Sequence, residues 1–205
     1  DYFDLLVDLC KLIYKQISKI TNNTAEKGGA IAPAAAAYVF LYNGEVSGNS
    51  ATKYGGAFYC YDGGDVVVDG STVVSNNTAP YGGCAYIGIQ GELRFYSGYI
   101  KDNTADYGGG IYTYESFVMG GSEAYLINNV AKYDGGGVCA LGEYGEVRIN
   151  YGNITGNKAV NGAGIYWDAY SEYFGGVLNN VIIMENEIID AFRSSDVRIV
   201  ETKFN

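Results

Sequence analysis

The feature that most constrains this chain is a glycine-rich tetrad that returns at a nearly constant spacing. Each tetrad holds two or three glycines and ends on an apolar residue. The six final residues are Ile31, Phe58, Ala85, Ile111, Val138 and Ile165, at steps of 27, 27, 26, 27 and 27. A fixed period of this length is typical of a solenoid, in which each repeat forms one coil and stacks on the next.

A second motif, an aliphatic residue followed three positions later by Asn, alternates with the tetrad. Its asparagines are Asn23, Asn49, Asn77, Asn103, Asn129, Asn157 and Asn186. One residue type at one position of every coil predicts a ladder, in which stacked carboxamides donate to and accept from the neighbouring coils. Alanine two residues after each of the first six asparagines leaves room beside that ladder.

The period-two pattern after each tetrad indicates short strands. The tetrad-ending residues are predicted to face the core, and the following residues to face outward. That outward column is Ala32, Tyr59, Tyr86, Tyr112, Cys139 and Tyr166. The paired glycines predict a corner that needs a positive φ or a close backbone approach. Each coil is predicted to hold at least two strands, with three favoured.

The sequence therefore predicts an all-β chain that forms a parallel β-helix, or β-solenoid, of about seven coils with about 27 residues per coil. Right-handedness is expected from the rule for parallel crossovers. A leucine-rich repeat is disfavoured because leucine is scarce.

The two ends depart from the repeat. Residues 1–19 are predicted to be an N-terminal capping segment, because apolar residues recur at helical spacing from Leu6 to Ile17. An amphipathic helix is the preferred interpretation and a strand is the alternative. Residues 20–205 are assigned to the β-helix repeats. Val197, Ile199 and Val200 continue a strand pattern, so the last coil is expected either to template another chain or to mark a truncation.

Charge and residue types argue against several classes of function. The net charge is −10, from 23 acidic and 13 basic residues, and no Lys/Arg-rich run occurs, so nucleic acid is not expected as a partner. The chain has no His, and its four cysteines show no CxxC spacing. No metal, no cofactor and no transmembrane segment are expected.

The outward tyrosines are the candidate contact residues. Tyr59, Tyr86, Tyr112 and Tyr166 are predicted to stack on one outer face, and Tyr54, Tyr81 and Tyr107 precede the glycines. Such a column could bind sugar rings or pack laterally against another fibre. It could also serve only to stabilise an exposed parallel strand, and that interpretation is preferred.

No catalytic residues are assigned. A polysaccharide lyase needs several carboxylates that converge across adjacent coils. Asp62 and Glu115 share a register but lie two coils apart with Ile89 between them, and Asp168 is one register away. The chain is therefore not predicted to be an enzyme.

Two sets of residues remain as candidates for modification or pairing. Asn22, Asn76 and Asn153 lie in N-x-Ser/Thr sequons and are candidate N-glycosylation sites, so the chain could be a glycoprotein in a host that glycosylates secreted proteins. Cys60 and Cys84 are expected to be buried free thiols, while Cys139 is expected to point outward without a mapped partner.

The two alternating motifs resemble the paired GGA[ILV] and FxxN motifs of chlamydial-type polymorphic outer membrane protein repeats, which also occur in large adhesin-like surface proteins of bacteria and microbial eukaryotes. The resemblance covers about Ile17 to Ile188, and Ile, Val or Leu replaces the Phe of FxxN throughout. It implies a pectin-lyase-like right-handed β-helix that is displayed outside the cell, for adhesion or as a surface stalk.

Together these observations predict an extracellular or cell-surface structural scaffold. It would self-associate head-to-tail into a fibre or serve as an adhesin-like stalk. A carbohydrate-binding module that uses the outward tyrosines, with glycans as partners, is the alternative. A polysaccharide lyase ranks third.

Overall fold

The computed structural model describes residues 18–142, 146–169, 175–189 and 197–200. These residues form an all-β, parallel β-solenoid of about six turns with about 27 residues per turn, and no helix is seen among them. The coils stack into four parallel sheets, named I to IV in chain order, two of seven strands and two of six.

The strands of the four sheets have the following bounds. Sheet I holds β1 (Ser18–Thr21), β4 (Gly44–Ser47), β8 (Val73–Ser75), β12 (Gly98–Lys101), β16 (Ala124–Ile127), β20 (Gly152–Thr155) and β24 (Val181–Met184). Sheet II holds β2 (Thr24–Lys27), β5 (Ser50–Tyr54), β9 (Thr78–Tyr81), β13 (Thr104–Tyr107), β17 (Val130–Ala131), β21 (Lys158–Ala159) and β25 (Glu187–Ile188). Sheet III holds β6 (Phe58–Cys60), β10 (Ala85–Ile87), β14 (Ile111–Thr113), β18 (Val138–Gly142), β22 (Ile165–Ala169) and β26 (Val197–Val200). Sheet IV holds β3 (Tyr38–Tyr42), β7 (Asp65–Asp69), β11 (Glu92–Phe95), β15 (Ser116–Met119), β19 (Glu146–Ile149) and β23 (Gly175–Leu178).

Equivalent positions of the repeat lie side by side in each sheet. In sheet I, Ile100 is paired with Val74 on one side and Leu126 on the other. In sheet III, Ala85 is paired with Phe58 and Ile111. The period read from the sequence is therefore the period of the coil, because each strand bonds to the same strand of the coils before and after it.

The five coils from β4 to β23 hold four strands each, more than the two or three predicted. The additional boundary, between the strands of sheets I and II, lies at the residue before each ladder asparagine. There the described backbone takes a positive φ of 56° to 66°. These residues are Asn22, Gly48, Asn76, Asp102, Asn128, Gly156 and Glu185. Gly, Asn and Asp enter this left-handed conformation at low cost, so the aliphatic-to-asparagine motif forms a bend between sheets I and II.

The tetrad-ending residues face the core, as predicted. Phe58, Ala85, Ile111, Val138 and Ile165 are each 0% exposed. Sheet IV contributes two columns of larger side chains to the same cluster, one with Phe95, Met119 and Ile149 and the other with Leu93, Phe117 and Val147. One apolar cluster thus runs along the axis from coil to coil.

The glycine corners have both properties that were predicted for them. The first glycine of each tetrad has a positive φ, from 55° to 70°. The second lies against the next coil, and a Cβ added to Gly83 would sit 2.3 Å from the carbonyl oxygen of Gly109. At Gly83 a side chain is excluded because the two coils approach through their backbones.

The ends can be compared with the sequence only in part. Ser18 and Lys19, assigned to the capping segment, lie in β1, and the predicted helix before them falls outside the described residues. At the other end, β26 pairs with β22 as a parallel strand. Among the described residues, no helix is long and apolar enough to cross a membrane.

Replacing Gly83 with alanine is expected to lower the free energy of unfolding by about 3 kcal/mol or more, because the added Cβ overlaps the backbone of the next coil. Ala163→Gly is the control, since Ala163 occupies the same tetrad position. Removal of its methyl group is expected to lower the free energy of unfolding by about 1 kcal/mol. Urea unfolding followed by circular dichroism measures both. An unchanged midpoint for Gly83→Ala would contradict the close approach of the coils.

Candidate functional site: an asparagine ladder and an outer tyrosine layer

All seven predicted asparagines lie in one ladder along the bend between sheets I and II. Between consecutive coils, the Oδ1 of the later asparagine accepts two hydrogen bonds from the earlier one, from its backbone N–H and its Nδ2, at 2.9 to 3.1 Å. The Nδ2 of the later asparagine also donates to the carbonyl of the aliphatic residue in the earlier coil, at 2.9 to 3.2 Å.

Asn103 shows how completely each carboxamide is used. Its Oδ1 accepts from the backbone N–H and the Nδ2 of Asn77, while its Nδ2 donates to Asn129 and to the carbonyl of Val74. The side chain is 0% exposed. Both donors and both acceptor positions are filled, which is the condition for burying an amide without a large penalty.

The backbone contacts of the ladder were not foreseen. The sequence predicted carboxamide stacking alone, whereas each side chain also binds the main chain of the preceding coil. A signal was present in the residue before each asparagine, which is Asn, Gly or Asp in six of the seven coils. These residue types favour the left-handed bend that turns the next backbone N–H toward the ladder.

The outward tyrosines form a stacked column on sheet III. The ring centroids of Tyr59, Tyr86 and Tyr112 are 5.5 Å apart at each step, with interplanar angles of 20° and 12°. Cys139 continues the register, and Tyr166 follows it. The structure therefore places the four predicted tyrosines in one register, with Cys139 between the third and the fourth.

A second row of tyrosines packs over this column from the end of sheet II. Tyr81 stacks on Tyr107 at 5.4 Å and 7°, and Tyr107 lies 5.0 Å from Tyr133. The rows touch where Tyr54 meets Tyr86 at 4.6 Å and where Tyr81 meets the edge of Tyr112 at 5.2 Å. The name outer tyrosine layer is used here for both rows: Tyr54, Tyr59, Tyr81, Tyr86, Tyr107, Tyr112 and Tyr133.

The second row corrects the expectation that the outward column is open to solvent. Tyr112 faces outward but is 3% exposed, and Cys139 is 0% exposed. The Tyr112 hydroxyl lies 2.9 Å from that of Tyr114, within hydrogen-bonding distance. Burial is the main cause that raises the pKa of Tyr86 and of Tyr112 above the ordinary range of tyrosine. The layer is therefore a second, external packing layer with a polar rim.

The geometry limits what this layer can bind. The ring faces of Tyr59, Tyr86 and Tyr112 lie against each other, as do those of Tyr81 and Tyr107. In the second row, the rings of Tyr54 and Tyr133 are tilted by 40° and 33° against their neighbours. At one end the ammonium of Lys27 lies over Tyr59 and Tyr54, 5.1 and 5.8 Å from the ring centroids. A sugar that stacks on an aromatic face would have to displace a neighbouring tyrosine.

The carboxylates considered for catalysis stay apart. The backbone N–H of Asp62 donates to the carbonyl of Ile89 in the next coil, and Glu115 belongs to the coil beyond it. Asp168 is paired with Leu141 in sheet III. Among the described residues, no three His, Cys, Asp or Glu side chains gather as a metal site would require.

The sequons and cysteines occupy distinct environments. Asn22 and Asn76 are exposed at the left-handed bend, whereas Asn153 is half-buried in β20 beside Tyr125. Cys60, Cys84 and Cys139 are buried free thiols, and burial raises the pKa of each. Cys10 lies outside the described residues.

Residues 43–61 match the Chlamydia polymorphic membrane protein repeat. The matched stretch runs through β4, β5 and β6, and it contains Asn49 of the ladder and the Gly55–Gly56 corner. The match confirms the resemblance drawn from the two motifs, and proteins of this repeat family are outer-membrane or surface proteins. Comparison with the curated proteins and with the solved structures gave no significant match.

Asn103→Ala is expected to lower the free energy of unfolding by at least about 3 kcal/mol, because it strands the buried N–H and Nδ2 donors of Asn77 and the carbonyl of Val74. Asn128→Gly is the control, since Asn128 is exposed at the left-handed bend, and its replacement should change the free energy by less than about 1 kcal/mol. Equal effects in urea unfolding would show that the ladder does not stabilise the fold.

The outer tyrosine layer predicts a loss of stability in alkali. Since the pKa of Tyr86 and of Tyr112 is raised in the folded state, the free energy of unfolding should stay level up to about pH 10 and then fall. The unfolded chain releases protons there that the folded chain retains, so the fall is about 1.4 kcal/mol per pH unit for each such tyrosine.

Urea unfolding over a series of pH values measures this fall. The double variant Tyr86→Phe, Tyr112→Phe should show a shallower fall than the wild type, and Tyr151→Phe removes a hydroxyl outside the layer as the control. If the double variant lost stability as steeply as the wild type, these two tyrosines would not be the source of the pH dependence.

Proposed function

We propose that this chain is an extracellular scaffold, a rigid rod displayed at a cell surface as a structural or adhesin-like stalk. The observation that carries the proposal is the unbroken ladder from Asn23 to Asn186, with four sheets that continue in register beside it. Bending such a rod would break buried hydrogen bonds in several coils at once. The rod is proposed to be right-handed, in keeping with parallel crossovers.

Two further observations support a role outside the cell. The matched repeat occurs in outer-membrane and surface proteins. Some outward columns carry charged and aromatic residues that differ from coil to coil, whereas the ladder keeps asparagine in all seven coils. In sheet I, for example, one outward column runs from Lys19 and Glu45 to Tyr99, Tyr125 and Ile182.

Glycan binding and polysaccharide cleavage gain less support from the same residues. Most ring faces in the outer tyrosine layer, those of Tyr59, Tyr86 and Tyr112 and of Tyr81 and Tyr107, pack on one another and are not free for a sugar ring. Asp62 and Glu115 are separated by the coil that carries Ile89. A scaffold accounts for the asparagine, glycine and core columns together. Glycan binding or polysaccharide cleavage would use only a few of these residues.

Surface display can be tested by labelling intact cells of the source organism with a membrane-impermeant, amine-reactive biotin reagent. The side chains of Lys19, Lys53 and Lys158 are 64%, 56% and 46% exposed, and they should be labelled without lysis. Mass spectrometry of the captured peptides identifies them. A cytoplasmic marker protein is the control, and labelling of this chain only after lysis would overturn the proposal.

A further inference from the structure

Sheet I carries a pair of tyrosines that does not belong to the outer tyrosine layer. Tyr99 of β12 and Tyr125 of β16 are register partners on the outward side of two hydrogen-bonded strands. Their ring centroids are 4.9 Å apart and their planes differ by 14°. Tyr99 is 39% exposed and Tyr125 is half-buried. Two phenol rings are therefore in stacking contact at a surface that solvent and large molecules can reach.

The residues on either side of this pair in its column are not aromatic. Val73 is the partner of Tyr99 in the preceding coil, and Asn153 is the partner of Tyr125 in the following one. The backbone beneath is fixed, because Ile100, the inward residue next to Tyr99, is 0% exposed. The sheet thus holds the two rings side by side, while no second stacked ring opposes their rotation about the Cβ–Cγ bond.

Neighbouring phenols of this kind can be coupled by oxidation. A tyrosine that loses one electron and one proton becomes a phenoxyl radical, and its unpaired electron lies partly on the ring carbons ortho to the oxygen. When two such radicals meet, a carbon–carbon bond forms between ortho carbons, and the hydrogen on each of these carbons moves to the phenoxyl oxygen. Hydrogen peroxide accepts both electrons and both protons through a haem peroxidase and leaves as two water molecules. The product is dityrosine, with two intact phenols.

We propose that Tyr99 and Tyr125 are a site of oxidative coupling, at which a haem peroxidase and hydrogen peroxide convert the pair to dityrosine. The peroxidase oxidises the exposed Tyr99, and the stacked Tyr125 then reduces that radical. A second oxidation of Tyr99 leaves one radical on each ring. The product joins two neighbouring coils by a carbon–carbon bond beside the hydrogen bonds of sheet I. The proposal rests on the proposed function for its setting, since a rod outside the cell meets such oxidants there.

The stacked column of the outer tyrosine layer is less suited to this reaction. Tyr86 lies between Tyr59 and Tyr112, at 5.5 Å from each, and Tyr54 packs on it from the second row at 4.6 Å. Tyr112 is 3% exposed, so a peroxidase cannot reach it. Rings that are packed on several sides also cannot turn their ortho carbons toward each other without moving their neighbours.

Tyr107 and Tyr133 are the nearest rival pair. Their centroids are 5.0 Å apart, and Tyr133 is as exposed as Tyr99, at 39%. The ammonium of Lys132, however, lies 4.9 Å from the centroid of the Tyr133 ring. A positive charge over a ring is attracted to its electrons, so it makes removal of an electron from Tyr133 harder. Tyr99 has no such cation over its ring among the described residues, and the coupling is therefore assigned to its pair.

The test treats the full 205-residue chain with a haem peroxidase and a limiting amount of hydrogen peroxide. Dityrosine fluorescence follows the reaction, and mass spectrometry after trypsin locates the product. Trypsin cleaves after Lys and Arg, which puts Tyr99 in peptide 95–101 and Tyr125 in peptide 102–132. Coupling joins these two peptides with the loss of two hydrogen atoms, and fragmentation identifies the linked residues. Circular dichroism establishes that the chain and each variant are folded before treatment.

The wild type should give the joined peptides as its main cross-linked product, in a yield that does not change with protein concentration, because both rings belong to one chain. Tyr99→Phe and Tyr125→Phe should each lose this product, since either change removes one of the two phenols but keeps the ring. Tyr96→Phe is the matched control. Tyr96 lies in the same tryptic peptide as Tyr99 and is equally exposed, at 39%, but is not part of the stacked pair. This variant should keep the product.

Three results would overturn the proposal: a folded wild type that yields no joined peptides, joined peptides that persist in Tyr99→Phe, or a main product that links separate chains or joins peptide 54–94 to peptide 102–132. The last of these would place the coupling within the outer tyrosine layer, between Tyr86 and Tyr112. Surface labelling of intact cells is a separate measurement. A chain that is labelled but does not couple keeps its display, and a chain that couples but is not labelled loses only the proposed setting.

Discussion

The structure depends on the requirement that a buried carboxamide must have all of its hydrogen bonds made. In the ladder this requirement is met only if the next coil places another asparagine at the same height, as Asn129 does for Asn103. Consecutive ladder asparagines are separated by 26 to 29 residues, so coils of different length all return an asparagine to the same height. A coil that did not would leave donors and acceptors unpaired in the interior, at a cost of about 1–3 kcal/mol each. The ladder therefore fixes the register of the coil, and the sheets follow from it.

The corners and the core are adapted to that register. The left-handed residue before each asparagine and the positive-φ glycine of each tetrad bend the backbone at the same two places in every coil. The backbone contact at Gly83 and its equivalents lets neighbouring coils approach without side chains between them. With spacing set by backbone and ladder, the core column can vary from Ala85 to Phe58 and still be fully buried. The coil of Ala85 carries Leu93 and Phe95 in sheet IV, where the coil of Phe58 carries the smaller Val66 and Val68.

Much of this arrangement could be predicted from the sequence, since a column of identical residues fixes both the period and the side that faces the core. The solenoid, the inward tetrad residues and the glycine corners follow from that pattern. The division into four strands was missed because the bend at Asn76 or Gly48 depends on φ, which residue type only favours. The burial of Tyr112 and Cys139 was missed for another reason. Alternation shows which side of a sheet a residue faces, but not whether that side is covered, as Tyr81 from the adjacent sheet covers Tyr112.

The same constraint separates the parts of the chain that must be repeated from the parts that are free to differ. Positions that contact the next coil through the ladder, the corners or the core are restricted, because each one must fit two neighbours. Outward positions meet solvent or other outward side chains, so a column can hold Lys19, Tyr125 and Ile182 without disturbing the register. Recognition of other molecules can therefore differ along the sides of such a rod.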